Sequence, residues 1–188
     1  MPFTLLHPVF AYLANRGIRR LSLPALVVGS MLPDLEIPVI YLMTGGLQNR
    51  LLLHSLFGVA TLGTLLGVLL TVLVYPPAIS LVLRIDRKKV DEKCRFSAVL
   101  CISCLLGGLS HVLIDALHHE FNPLLYPFVN ESFDSFVLFS DWELASFIVH
   151  FALLAVLSLI LFWEVGKGTE SFWERVLLGS TDRVAFKL

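Results

Sequence analysis

Apolar residues in this chain fall into long unbroken runs, and four of the runs approach the roughly 20 residues a helix needs to cross a bilayer's hydrocarbon core. Leu144 to Trp163 is the cleanest, interrupted only by His150. Ser97 to Leu117 carries His111 and Asp115. Leu51 to Leu83 is longer than one crossing requires and contains Pro76-Pro77, so it is expected to span and then bend, its last turns near the interface. Leu21 to Met43 is the weakest by hydropathy, because Pro33, Asp34, Glu36 and Pro38 lie inside it. A shorter run, Leu5 to Asn15, cannot span and reads as a re-entrant or interfacial helix. The pattern predicts an all-α polytopic membrane bundle of about four spanning helices plus a short N-terminal helix, forming one integral-membrane domain over residues 1–188.

Composition supports that class. Only 15% of the residues are charged and 56% are hydrophobic, where soluble domains carry about 25% charged residues. Mean hydropathy is +0.81. Net charge is −1, and no basic stripe suggests a nucleic-acid partner. The start, MPFTLLHPVF, lacks the charged n-region and small-residue site of a cleavable signal. Cys94, Cys101 and Cys104 are too few and too clustered for a disulfide framework, and the CxxC they include reads as packing within an apolar helix.

Cations orient the spans. Arg16, Arg19 and Arg20 precede the first; Arg84, Arg87, Lys88, Lys89, Lys93 and Arg95 separate the second from the third; Lys167, Arg175, Arg183 and Lys187 follow the last. The intervening connections hold one cation (Arg50) and none, the second of them with five acids. The predicted path is therefore cytoplasmic at Arg19, outside at Gly45, inside at Lys88, outside at Phe128 and cytoplasmic at the C-terminus, with residues 164–188 a cytoplasmic tail. Residues 118–143 form a long aromatic connection, expected to fold back on the membrane surface as an extracytoplasmic cap.

Ionisable groups in spanning helices are costly and point to function. Here they are His7, Asp34, Glu36, His54, His111, Asp115, His118, His119 and His150. Asp34 lies fourteen residues past Arg20, or roughly 21 Å of helix. That places most of the set in one pocket at or just below the outer face. His111 and Asp115 are four apart, so they share a helix face. Imidazoles with carboxylates are the donors of zinc, manganese or iron sites, and a divalent ion would offset acids gathered in lipid. Blander readings stand beside this one. His150 reads as a packing residue, Glu36 could face a polar seam or hold a loop, and His111 with Asp115 could be a structural pair. The set as a whole favours a metal.

The segments MPFTLLHP, SMLPDLE, LHSLFG and LSHVLIDALHH, in this order, resemble an uncharacterised domain-of-unknown-function family of bacterial multi-pass membrane proteins. Its motifs read MPFTxSH, GSMxPD, HSLxG and SHxxWDxxTH. That family is similar to proteins assigned as inner-membrane metal-dependent hydrolases, and more loosely to zinc-dependent phospholipase C. The resemblance runs to about Phe128, with Leu6, Ile114 and His118 as departures from the motifs. It implies a bacterial inner-membrane location and metal ligands at His7, Asp34, His54, His111, Asp115 and His119.

Six ligands exceed the needs of one tetrahedral zinc. Two ions sharing Asp34 or Asp115 would use them, and two-metal sites suit phosphoester hydrolysis by a metal-activated water. Glu36 or Glu120 is the expected general base. A site near the outer leaflet under an aromatic cap fits a lipid or lipid-linked phosphate. The competing expectation is a metal-ion or small-solute transporter using the same His/Asp cluster, which the short, repeat-free chain disfavours. A structural membrane protein without chemistry is the third.

Overall fold

In a computed structural model, which describes residues 4–179, each of the four apolar runs is a helix, and a polar side chain sets where each begins. Ser22 accepts the Ala25 N–H at 3.4 Å, Ser55 that of Gly58 at 2.9 Å and Ser97 that of Leu100 at 3.1 Å. Asp141 accepts from Glu143 and Leu144, both at 3.0 Å. Such caps satisfy donors that a first turn leaves open. The elements are α1 (Pro8–Gly17), α2 (Leu23–Met43), α3 (Leu56–Leu83), α4 (Arg87–Lys93), α5 (Ala98–Ala116), α6 (Trp142–Gly166) and α7 (Phe172–Leu177). Among the described residues there is no strand. By length and composition α2, α3, α5 and α6 can each cross a membrane.

Three boundaries differ from the apolar runs, each for a physical reason. α3 starts at Leu56, because residues 51–54 form a turn held by Glu36. It continues through Pro76 and Pro77 to Leu83, where a left-handed Arg84 (φ 56°) ends it. A π-turn, Leu70–Val74, widens the helix just ahead of the prolines and takes up their missing N–H groups. In α2, Pro33 tightens one turn, Pro33–Leu35, to 3-10 geometry without breaking the helix.

The α2–α5 pair is the centre of the bundle. A Cβ on Gly107 would stand 2.4 Å from the Leu26 carbonyl oxygen, and one on Gly29 would stand 2.3 Å from that of Cys104. Only glycine lets the two backbones come so close. Cys104 packs with Ala25, Val68 and Leu100, so α3 closes on the same seam. All three cysteines are free thiols. On the other flank α6 meets α1 and α2 through Ile160, Val9, Tyr12 and Leu26. At its far end the buried Glu164 receives Tyr12, Arg16, Lys167 (2.7 Å) and Arg175 (2.9 Å), joining α1, α6 and α7.

Residues 118–143 cover the end of the bundle where α3 begins and α5 ends. Leu124 packs among Val59, Val112 and Ala116, and its carbonyl accepts the Leu56 N–H at 3.0 Å. Leu138 N–H reaches the Leu117 carbonyl at 2.9 Å. At the opposite end Lys89 pairs with Glu174 at 2.9 Å and Tyr75 hydrogen-bonds the Leu177 carbonyl at 3.0 Å, docking the tail as far as α7. Arg183 and Lys187 of the expected tail lie outside the described residues.

Candidate metal centre

Because Gly29 and Gly107 bring α2 and α5 together, Asp34, five residues on in α2, faces His111 and Asp115 of α5. His54 enters from the turn ahead of α3. Four bonding atoms then form a small buried polyhedron. His54 Nε2 is 3.5 Å from Asp34 Oδ1 and 3.7 Å from Asp115 Oδ2. His111 Nε2 is 3.5 Å from Asp34 Oδ1 and 3.3 Å from Asp115 Oδ2. An ion about 2.1 Å from four tetrahedral ligands separates them by about 3.4 Å, close to these four spacings.

Both imidazoles are held in the tautomer a metal needs. His111 Nδ1 donates to the Ser30 carbonyl at 2.7 Å, and His54 Nδ1 donates to Glu36 at 2.8 Å. With the proton on Nδ1, each Nε2 turns a lone pair toward the carboxylates. Among the described residues, His54 Nε2, His111 Nε2 and both Asp115 oxygens are buried without a hydrogen-bond partner. Orphaned acceptors are expensive inside a protein, and a cation among them would satisfy His54 Nε2, His111 Nε2 and Asp115 Oδ2. The residues present fit a divalent ion.

A second set of donors lies on the far side of Asp115. Its Oδ1 is 3.5 Å from His7 Nε2 and 3.6 Å from His119 Nε2. His118 joins Asp115 and His119 as a further possible ligand group, its Nδ1 donating to the Ile114 carbonyl at 2.8 Å. The His7 ring stacks on His111 with centroids 3.9 Å apart. Burial pushes His7 down to about 3 and His119 down to about 2, and lowers His118, so all three rings stay neutral. His54 differs. Burial opposes its charge, but the Asp34 and Glu36 carboxylates beside it outweigh burial and raise it, so a proton competes with a metal for this ring.

All six sequence-predicted ligands, His7, Asp34, His54, His111, Asp115 and His119, thus meet in one cluster. The two candidate bases do not share it equally. Glu36 accepts the N–H groups of Leu51 and Leu53, both at 2.7 Å, as well as His54, which makes it a support behind the ligand. Glu120 is exposed and lines a polar cavity of about 170 Å³ beside His119. His150 contacts the edge of the His118 ring, centroids 5.1 Å apart, with Nδ1 on the Ser146 carbonyl.

Arg50 escaped the sequence reading. It is only 5% exposed. Its Nη2 donates to His119 Nε2 at 2.9 Å and stands 3.3 Å from Asp115 Oδ2. A signal was there: it is the lone cation of the connection between α2 and α3, four residues before His54.

The family model Domain of unknown function (DUF4184) matches residues 1–176, and the chain belongs to that family. No curated protein and no solved structure matches it.

Proposed function

We propose that this family member is a multi-pass membrane protein that holds a divalent ion, zinc by its donor set, and hydrolyses a phosphoester of a lipid or lipid-linked substrate. One observation carries the reading: the buried cluster of Asp34, His54, His111 and Asp115, with both imidazoles oriented by Glu36 and the Ser30 carbonyl. Asp115 is the residue that could bridge to a second ion, since its other oxygen faces His7 and His119. Manganese or iron would suit the same donors.

When bound, such an ion supplies Lewis acidity, polarising a phosphoryl oxygen and easing deprotonation of a water. The chain's own residues do the rest. Arg50 presents a guanidinium to the phosphate, the bidentate partner its planar fork favours. Glu120, at the rim of the polar cavity, accepts the proton of the attacking water. The water oxygen bonds phosphorus, the ester P–O bond breaks, and the alcohol leaves with that proton. Glu36 keeps His54 in place. The proposed site faces the extracytoplasmic side of a bacterial inner membrane, because the cation-rich connections lie at the opposite end. The resemblance to membrane-bound metal-dependent hydrolases supports the same reaction class.

The test is metal content by mass spectrometry on detergent-purified protein, beside the double variant Asp34→Asn, His111→Ala. One or two equivalents in the parent, lost in the folded variant, followed by phosphate or phosphoalcohol release from a phospholipid panel, are the expected results. No metal in either protein, both folded, would overturn the reading. Bound metal exchanged across a vesicle membrane without hydrolysis would replace it with the transporter.

A further inference from the structure

Two cavities of opposite character share Trp142 as a wall. One is the polar cavity of about 170 Å³, lined by Arg50, His119, Glu120 and Trp142. The other, about 630 Å³, is an apolar groove along α6, where Phe147, Phe151 and Leu154 face Leu6. Those three α6 residues fall at helical spacing and are 70%, 67% and 53% exposed, so the groove opens on the outward face of the bundle.

An apolar face on a spanning helix is ordinary; its connections distinguish this one. Leu6 immediately precedes His7, and His150, which lines the groove, rests against His118. The inner wall of the groove is therefore the outside of the histidine cluster. At the Trp142 end the surroundings turn polar, and Arg50 is the buried cation there. Its Nε has no hydrogen-bond partner among the described residues, although Nη2 is engaged with His119. A buried guanidinium with an unused N–H is a site for an anion. Indole rings also favour the level where hydrocarbon gives way to headgroups.

We infer that the groove seats one hydrocarbon chain of a phosphate-headed membrane lipid, whose headgroup enters the polar cavity at Arg50 with Trp142 at the junction. This deepens the hydrolase reading and rests on it for the identity of the reacting phosphate. Charge complementarity at Arg50 and the Trp142 wall that the two cavities share single out such an amphiphile over a soluble phosphate. The lipid enters sideways from the bilayer, its chain docked before its phosphate reaches Asp115 and His119. Binding energy taken from the chain, remote from the reacting bond, would position the headgroup.

The experiment uses the full chain in nanodiscs doped with phosphatidic acid carrying a diazirine on one acyl chain. Photoadducts are mapped by mass spectrometry, with a diacylglycerol diazirine as the probe lacking phosphate. Phosphatidic acid should label Phe147, Phe151 and Leu154 several-fold more than Leu159 and Phe162 of the same helix. Diacylglycerol should not show that preference. Ser146→Trp, which fills the groove, should remove the enrichment, Arg50→Gln should reduce it to the diacylglycerol pattern, and Leu159→Trp should leave it intact. Even labelling along α6 of the parent protein, or the same pattern from both probes, would overturn the inference whether or not the variants fold. Metal content and hydrolysis are measured on the same samples. Enrichment without metal leaves a lipid site and removes the hydrolase, whereas metal and turnover with even labelling do the reverse.

Discussion

Glu36 Oε1 stands 2.8 Å from His54 Nδ1, and the same carboxylate gathers the backbone N–H groups of Leu51, Leu53 and His54. A carboxylate two residues beyond Asp34 thus builds the turn that carries His54 into the cluster. An acid behind a metal-ligating imidazole fixes its ring and raises its basicity, and losing it typically costs about 10- to 100-fold in metal affinity. Glu36→Gln should weaken metal binding by about that factor, while turnover of the fully loaded protein changes little. Isothermal titration with zinc beside kcat at saturating zinc separates the two. Unchanged affinity with collapsed turnover would return Glu36 to the role of base.

The glycine contact between α2 and α5 should be equally sensitive. Gly107→Ala forces a Cβ to 2.4 Å from the Leu26 carbonyl oxygen, so the helices must part. Overpacking of this kind costs about 1–3 kcal/mol, and the movement separates Asp34 from His111. Thermal unfolding in detergent should fall and metal content with it. Gly166→Ala, where nothing lies within 4 Å of the added atom, is the matched control and should be neutral.

Removing the ion should destabilise the parent protein. A ligand present at about a thousand times its dissociation constant adds about 4 kcal/mol to folding stability. Chelation should therefore lower the melting temperature, and zinc should restore it. In His54→Ala and His111→Ala the melting temperature should no longer respond to either treatment. A chelator-insensitive parent protein would count against a bound metal.

Glu164 makes a contrasting case, because its partners lie at the other end of the bundle. Its side chain is fully buried, whereas Arg16, Lys167 and Arg175 remain 30%, 34% and 19% exposed. With the cations partly solvated, Glu164→Gln should cost about 1–3 kcal/mol. It should loosen α1 and α7, read as faster hydrogen exchange there, yet leave metal stoichiometry intact.

Much of this architecture is visible in the order of residues, and the parts that are not share a cause. Apolar runs mark the long helices because lipid or protein must cover every side of them, and acids or imidazoles inside such runs stand out by their cost. That was enough to nominate Asp34, His54, His111 and Asp115. The start of α3 was misplaced by five residues because Leu51, Leu52 and Leu53 are as apolar as the helix that follows. What ends the helix there is Glu36, a distant acceptor that periodicity does not register. Arg50 looked like an ordinary loop cation for the same reason. Its burial comes from packing between distant segments, as does the approach of Gly29 and Gly107 that puts the ligands in register.

Asp34, Glu36, Asp115 and Arg50 are all buried within this one cluster. With a metal in place of any proton on the imidazoles, three carboxylates and one guanidinium leave a deficit of two positive charges in a medium that screens poorly. A dication restores electroneutrality. Sodium or potassium would leave the cavity one charge short, and a trivalent ion would overshoot by one. The arginine that at first sight competes with a metal for Asp115 would thereby set the valence of the proposed ion.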